Sequence, residues 1–223
     1  MISKLPKWVE IGAFILALVA GCVNAVGLLS FEHQAVSHLS GTATLLGTDL
    51  MHGNSLDALH LLGVLLSFLV GSGIAGFLLH SSALKLGRHY DTALLIEAGL
   101  LLGALWLLFN GSGYGHFLAS AACGLQNALA TTYSGAIVRT THVTGIFTDL
   151  GIMFGRVFRG EALDKRKAKL FGLIIIGFIF GGLAGAWLFA KMTFAALYVP
   201  SAICILLALT YRVYSHRNPE LND

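Results

Sequence analysis

The chain has 223 residues, of which 56% are hydrophobic and only 11% are charged, whereas a soluble domain carries about 25% charged residues. This balance excludes an ordinary soluble domain and indicates a protein whose main solvent is lipid. The formal net charge of +3 is small, and no basic stripe with interleaved aromatic residues indicates a nucleic-acid partner. The three cysteines stand singly in apolar runs, without disulfide or zinc spacing, so we expect neither a metal nor another cofactor.

Six segments are long and apolar enough to cross a bilayer, which takes about 20 residues each. They lie at 8–31, 58–80, 91–109, 113–133, 169–190 and 194–214. Lys4 and Lys7 precede the first segment, as in a signal peptide, but the apolar run continues past Gly21, so we expect a retained first span. Residues 1–223 are therefore predicted to form one all-α integral membrane domain.

A polar motif containing glycine occurs twice in this apolar chain. Residues 37–47 read SHLSGTATLLG and residues 141–151 read THVTGIFTDLG, with five of eleven positions identical. Each copy lies in a stretch of intermediate hydrophobicity, at about 36–53 and about 136–158, which we expect to be a re-entrant or broken helix. The alternative is that both stretches cross completely, which would give eight spans.

The repeat extends beyond the motif. A Gly-x-x-Asn-Ala frame precedes each copy, at Gly21 and at Gly124, and later small residues align at a spacing of 109 (Gly63 with Gly172, Gly73 with Gly182, Gly76 with Gly185). We therefore predict two half-repeats, 8–110 and 113–214, with three spans each. Because three is odd, the second half is expected to be inverted relative to the first, as in many transporters.

Charge predicts the orientation, because Lys and Arg favour the cytoplasmic side. With six spans and an inside N-terminus, the cytoplasmic side receives Lys4, Lys7, Lys85, Arg88, Arg156, Arg159, Lys165, Arg166, Lys167, Lys169, Arg212 and Arg217. Only Lys191 falls outside, whereas eight spans would weaken the bias. We expect both termini to be cytoplasmic, and Glu10 and Glu32, near span ends, to be solvated.

The duplicated motif supplies the candidate substrate site. Histidines flanked by hydroxyls and followed by glycine are costly inside a membrane unless they face protein or water. The predicted substrate-binding residues are Asn24, His38, Ser40, Gly41, Thr44, Asn127, His142, Thr144, Gly145 and Thr148, which we expect to line one central cavity. The alternative is structural, since histidines tie helix turns to neighbours and asparagines satisfy opened backbone.

Three charged residues are candidates for charge coupling: Glu97, Arg139 and Asp149. Glu97 lies within the third predicted span with no basic residue nearby in sequence, which makes it the best candidate for a carboxylate that exchanges a proton. His38 and His142 are alternatives, because histidine changes charge near neutral pH. Arg139 is permanently charged and suits an anionic group or Asp149 better than proton transfer.

Small residues at a spacing of four predict close helix packing. They are Gly177, Gly181 and Gly185 in one span and Ser67, Gly71 and Ala75 in another.

Together these residues resemble the YoaK family, small bacterial inner-membrane proteins long labelled as a domain of unknown function. The resemblance covers about 8–214 and is carried by Gly21-x-x-Asn24-Ala25, Ser37-His38-Leu39-Ser40-Gly41, Gly124-Leu125-Gln126-Asn127-Ala128 and the block 139–151. Two departures are Ser40-Gly41-Thr42, where the family usually has Thr-Gly-Asn, and Thr131-Thr132, where it tends to have arginines. The resemblance implies a multi-pass protein of the bacterial inner membrane with a presumed transport role.

We therefore expect a membrane transporter or facilitator of an unidentified small molecule, with proton coupling as one option. A membrane-embedded structural or regulatory protein is the alternative. A membrane enzyme is less favoured, because the chain has no nucleophile elbow, phosphate loop or paired carboxylates. The expected partners are a small-molecule substrate and membrane lipid, and a homo-oligomer is a further option.

Overall fold

The computed structural model describes residues 7–30, 35–79, 89–134 and 138–217. Regular structure in these ranges is helical, without a strand, which confirms the all-α class. The α-helices are α1 (Lys7–Leu29), α2 (Leu39–His52), α3 (Ser55–Leu78), α4 (Tyr90–Phe109), α5 (Gly115–Tyr133), α6 (Val143–Phe158), α7 (Lys165–Met192) and α8 (Tyr198–Arg217), and a 3₁₀ helix, Thr193–Leu197, joins the last two.

The longer helices coincide with the predicted apolar segments, while α2 and α6 fall in the two motif stretches. Among the described residues, four stretches are long and apolar enough to cross a membrane: Val9–Leu29, Ser55–Leu78, Tyr90–Phe109 and Lys165–His216. The fourth contains both α7 and α8. The helices therefore have the length and composition of a membrane protein, and the count of six spans stays a prediction.

Helices α1 and α7 pack side by side in the same direction. Phe14 lies opposite Gly177, and Cys22, two turns further along α1, lies opposite Gly185. The glycines of α7 at a spacing of four therefore form the contact face, as the sequence predicted.

Helices α3 and α5 make a second parallel pair, joined by side-chain hydrogen bonds to backbone. The Ser120 hydroxyl donates to the Val64 carbonyl at 2.9 Å, and the Ser72 hydroxyl donates to the Gly124 carbonyl at 3.0 Å. Glycine again permits the approach, because a Cβ at Gly71 would overlap the Ala121 backbone.

Helices α1 and α5 run antiparallel across the centre of the bundle. Ser30, at the end of α1, contacts His116 at the start of α5, and Gln126, late in α5, donates to the carbonyl of Leu16, early in α1. Helices α4 and α8 are antiparallel as well, since Glu97 contacts Cys204 and Tyr90 contacts Tyr211.

The ends of α1 and α7 are joined by ion pairs that correct one expectation. Glu10 is not solvated: its side chain is 11% exposed, 2.7 Å from the Lys169 ammonium and 3.6 Å from the Arg166 guanidinium. Because α1 and α7 are parallel neighbours, the basic start of α7 lies beside the acidic first turn of α1. Glu32, also expected to be solvated, lies outside the described residues.

Candidate functional site

The two motif histidines occupy equivalent places in the backbone. His38 is the N-cap residue of α2, with φ −94° and ψ 69°, and His142 is the N-cap residue of α6, with φ −91° and ψ 53°. Neither side chain makes a capping hydrogen bond. Each motif therefore begins a short helix at the same position.

The glycine three residues after each histidine has a steric role. A Cβ added at Gly41 would overlap the His38 ring, and a Cβ added at Gly145 would overlap the His142 ring. In this rotamer the imidazole lies against the first helical turn, and glycine leaves room for it. Because each ring ends an exposed side chain that can turn away from an added Cβ, glycine permits this contact but a larger residue is not excluded.

The threonine hydroxyls of the motif form hydrogen bonds within their own helices. Thr44 donates to the carbonyl of Ser40, and Thr148 donates to the carbonyl of Thr144, both at 3.0 Å. These threonines are exposed, as are Ser40, Thr144 and both motif histidines. These side chains therefore lie on exposed faces of α2 and α6, and the shared central cavity stays a prediction.

The two asparagines of the repeated frame differ in their contacts. The Asn24 side-chain oxygen accepts from the Ser37 backbone N–H at 3.2 Å and from its hydroxyl at 2.8 Å, so Asn24 fixes the segment that enters α2. The Asn127 side-chain oxygen is buried without a hydrogen-bond partner. In the second half it is Gln126 that bridges, donating to Leu16 and lying 3.5 Å from the Thr140 hydroxyl. Gln126 was not among the predicted site residues, although an amide beside Asn127 in an apolar segment was a visible signal.

The three charged candidates are far from equivalent. Glu97 is only 2% exposed, contacts the Cys204 thiol, and has one carboxyl oxygen without a hydrogen-bond partner. Asp149 lies 3.5 Å from Lys167, so its partner is a lysine at the start of α7. Arg139 is exposed. Glu97 is therefore the candidate that the fold buries.

A cavity of about 480 Å³ lies between α1, α4, α5 and α8. Its lining is almost wholly apolar: Val9, Ile11, Gly12, Ala13, Ile15, Leu16, Tyr90, Leu94, Leu129, Ala130, Val138, Leu207, Thr210, Tyr211 and Tyr214. None of the predicted site residues is among these lining residues. The walls are suited to an apolar or aromatic guest rather than to an ion.

A second group of polar residues, absent from the predicted site, lies where α1 ends and α3 and α5 begin. Ser30, His60 and His116 meet there, and His116 is fully buried. The visible signal was a histidine inside each of two apolar segments. Among the described residues, no three His, Cys, Asp or Glu side chains lie close enough to bind one metal ion. Of these four residue types, this group contributes two histidines.

A protein family described as "Protein of unknown function (DUF1275)" matches the chain over residues 12–210. The chain belongs to this family. The family historically includes YoaK, so the resemblance found in the sequence is confirmed. No curated protein and no solved structure matches the chain. Since the family description names no activity, a functional proposal depends on the geometry of the helices and the cavity.

Proposed function

We propose that this chain is a transporter of a small, largely apolar molecule in the bacterial inner membrane, built as an inverted repeat that opens alternately at its two ends. Six spans, with both termini cytoplasmic, complete the proposal. The single observation that carries it is a cavity at one end whose equivalent at the other end is closed.

The helix contacts support two inverted halves. Gly21 in α1 approaches the Phe178 carbonyl of α7, and Gly124 in α5 approaches the Phe68 carbonyl of α3. The two glycines stand 103 positions apart and the two phenylalanines 110, one more than the alignment of small residues predicted. Since α1 and α5, the first helices of the halves, run antiparallel, such a pairing is what inversion requires.

The same relation holds one turn away. A Cβ at Gly181 would lie 2.7 Å from the Leu18 carbonyl carbon, and a Cβ at Gly71 would lie 2.7 Å from the Ala121 carbonyl carbon. Leu18 and Ala121 are again 103 apart, and the glycines again 110. Close contacts at two levels of the same helix pairs thus favour one pseudo-two-fold relation between the halves.

The ends of the two halves break this relation. Gly12 lines the cavity, and a Cβ added there would meet no heavy atom within 4 Å. Its counterpart 103 positions on is Gly115, where a Cβ would lie 2.8 Å from the Ala104 carbonyl oxygen and would overlap Leu108. One end is open between α1 and α8, and the equivalent end is closed between α5 and α4.

An inverted repeat with one end open and the other closed can adopt a second state, in which the open end closes and the closed end opens. The short connection between α4 and α5 offers a competing explanation, because it alone would keep the second end closed. The two explanations differ in whether residues at the closed end ever reach water.

Cysteine labelling separates them. In a chain freed of its native cysteines, Leu16→Cys in the cavity and Ala119→Cys, the buried counterpart, would each be treated with a membrane-impermeant maleimide in vesicles of either orientation. We expect Leu16→Cys to react quickly from the cytoplasmic side and Ala119→Cys to react more slowly from the opposite side. An Ala119→Cys chain that stays folded but unreactive from both sides would contradict alternating access.

Filling the cavity tests transport itself. Gly12→Trp would occupy the open space, whereas Gly99→Trp, on α4, also meets nothing within 4 Å but lies outside the cavity lining. Proteoliposomes would be assayed with radiolabelled small molecules that are largely apolar, including aromatic ones. We expect a solute taken up by the parent and by Gly99→Trp to be excluded by Gly12→Trp. Equal uptake by both variants would remove the cavity from the pathway.

Glu97 is the group that we propose for proton coupling. It is buried, it contacts a thiol rather than a cation, and it comes from α4, one of the helices that line the cavity. A buried carboxylate without a cation is costly, so a change of charge there would bias the packing of α4 against α8. Uptake driven by a pH gradient should disappear in Glu97→Gln, and uptake indifferent to the gradient in both proteins would leave passive facilitation.

A further inference from the structure

The hydrogen bonds of Ser30 determine which nitrogen of His116 carries a proton. The Ser30 oxygen lies 2.6 Å from the Gly27 carbonyl oxygen and 2.6 Å from His116 Nε2. Two oxygens approach this closely only with a hydrogen between them, and a serine has one, so Ser30 donates to Gly27. It must then accept from His116, whose Nε2 carries the hydrogen.

In the neutral ring of His116, this leaves Nδ1 with a free lone pair. Nδ1 is buried and has no hydrogen-bond partner, in a residue that is 0% exposed. Nε2 of His60, on the facing helix α3, is likewise buried and without a partner. Buried polar atoms without partners are rare in native proteins, and each calls for a ligand or a water.

The distance between the two rings is compatible with a shared ion. Their centres are 5.5 Å apart and their planes nearly perpendicular, at 88°. Metal–nitrogen bonds of about 2.0–2.1 Å to two imidazoles place the ring centres roughly 5–6 Å apart. A metal-binding histidine usually donates the N–H of its other ring nitrogen to a fixed acceptor, and His116 donates its Nε2–H in this way to the Ser30 oxygen.

We propose that His60 and His116 bind a divalent transition-metal cation of the zinc type, with water completing its coordination. The alternative is a bound water, which the same two nitrogens could hold. The tautomer of His116 favours the cation, because the bond to Ser30 fixes a free lone pair on Nδ1 before any ligand arrives. This inference concerns binding and does not depend on the transport proposal.

The test is titration of the purified, tag-free chain in detergent with Zn²⁺, followed by calorimetry. We expect one ion per chain, with binding at least tenfold weaker in His60→Ala and in His116→Ala. Ser30→Ala keeps both ligands but frees the tautomer, so a loss of about 10–100-fold is expected there. The matched control is His52→Ala, since His52 is an exposed histidine bonded only within its own helix, to the Thr48 carbonyl at 2.7 Å.

A bound cation and a bound water predict different results. A folded parent chain that binds no Zn²⁺, or one whose binding is unchanged in His60→Ala and Ser30→Ala, would overturn the proposal and leave a water between the histidines. Because His116 is fully buried and its alanine variant could misfold, His60→Ala and Ser30→Ala are sufficient by themselves. A stepwise loss that spares His52→Ala would support the site.

Discussion

Replacing Gly71 by alanine should separate α3 from α5. The new Cβ would overlap the Ala121 carbonyl oxygen and lie 2.7 Å from its carbonyl carbon and 2.9 Å from its Cα, where ordinary contacts begin at 3.4 Å. The obstacle is backbone, which cannot rotate away as a side-chain tip can. The helices must therefore move apart locally by about 1 Å, enough to forfeit a large part of the dispersion energy across the contact.

This separation also stretches the two hydrogen bonds between the helices. Ser120 to Val64 is 2.9 Å and Ser72 to Gly124 is 3.0 Å, so a 1 Å movement takes both beyond hydrogen-bond distance. Each such bond contributes about 0.6 kcal/mol within membranes, and the overpacking itself costs about 1–3 kcal/mol. The free energy of unfolding should therefore fall by about 2–4 kcal/mol.

The assay is reversible unfolding by dodecyl sulfate in mixed micelles, followed by tryptophan fluorescence. The matched control is Gly73→Ala, two residues along α3, where a Cβ meets nothing within 4 Å. That variant should change the free energy of unfolding by about 1 kcal/mol or less. If Gly71→Ala and Gly73→Ala prove equally stable, the close packing of α3 on α5 is wrong.

Three further predictions use the same unfolding assay. Gly145→Ala should be neutral or stabilising, by up to about 1 kcal/mol in the free energy of unfolding, because the ring atoms that its Cβ would meet belong to His142, an exposed side chain that can turn away. A loss as large as that of Gly71→Ala would show instead that the His142 ring is held in place. Asn24→Leu should lower the free energy of unfolding by about 1–3 kcal/mol, because two donors of Ser37 lose their acceptor. Asn127→Leu should lower it by less, because the Asn127 oxygen has no partner. Equal losses in the two variants would argue against this difference. Glu10→Gln should lower the free energy of unfolding by about 1 kcal/mol or less, since the partner ammonium of Lys169 is largely exposed. This loss should be smaller at high salt, which screens the ion pair. A loss that salt does not change would point to packing instead.

Much of the helical plan could be read from the sequence. Long apolar runs must satisfy their own backbone hydrogen bonds in lipid, so they form helices wherever they occur. The glycines at a spacing of four in α7 were predicted to be a contact face, and each faces α1. The family could also be recognised from the sequence, because short motifs identify it and motifs do not depend on how the helices pack.

The site was harder to predict because side-chain direction depends on how each helix is rotated. The threonines of the motif were expected to line a cavity, yet Thr44 and Thr148 are exposed and bond within their own helices. Duplication indicated that the motif matters, but it could not distinguish local packing of a histidine ring on glycine from a binding role.

The sequence by itself determined the lipid-compatible composition, the helical segments and the duplicated motif, because these follow from local hydrophobicity and from residue identity. Only the tertiary structure decided which residues meet. Glu10 finds Lys169 across 159 positions, and His116 finds Ser30 across 86, because helix pairing brings distant segments together. Tertiary structure also decided that the space beside Gly12 is open and the space beside Gly115 is filled. The two glycines occupy equivalent positions in the repeat, and they differ in the atoms that neighbouring helices place next to them.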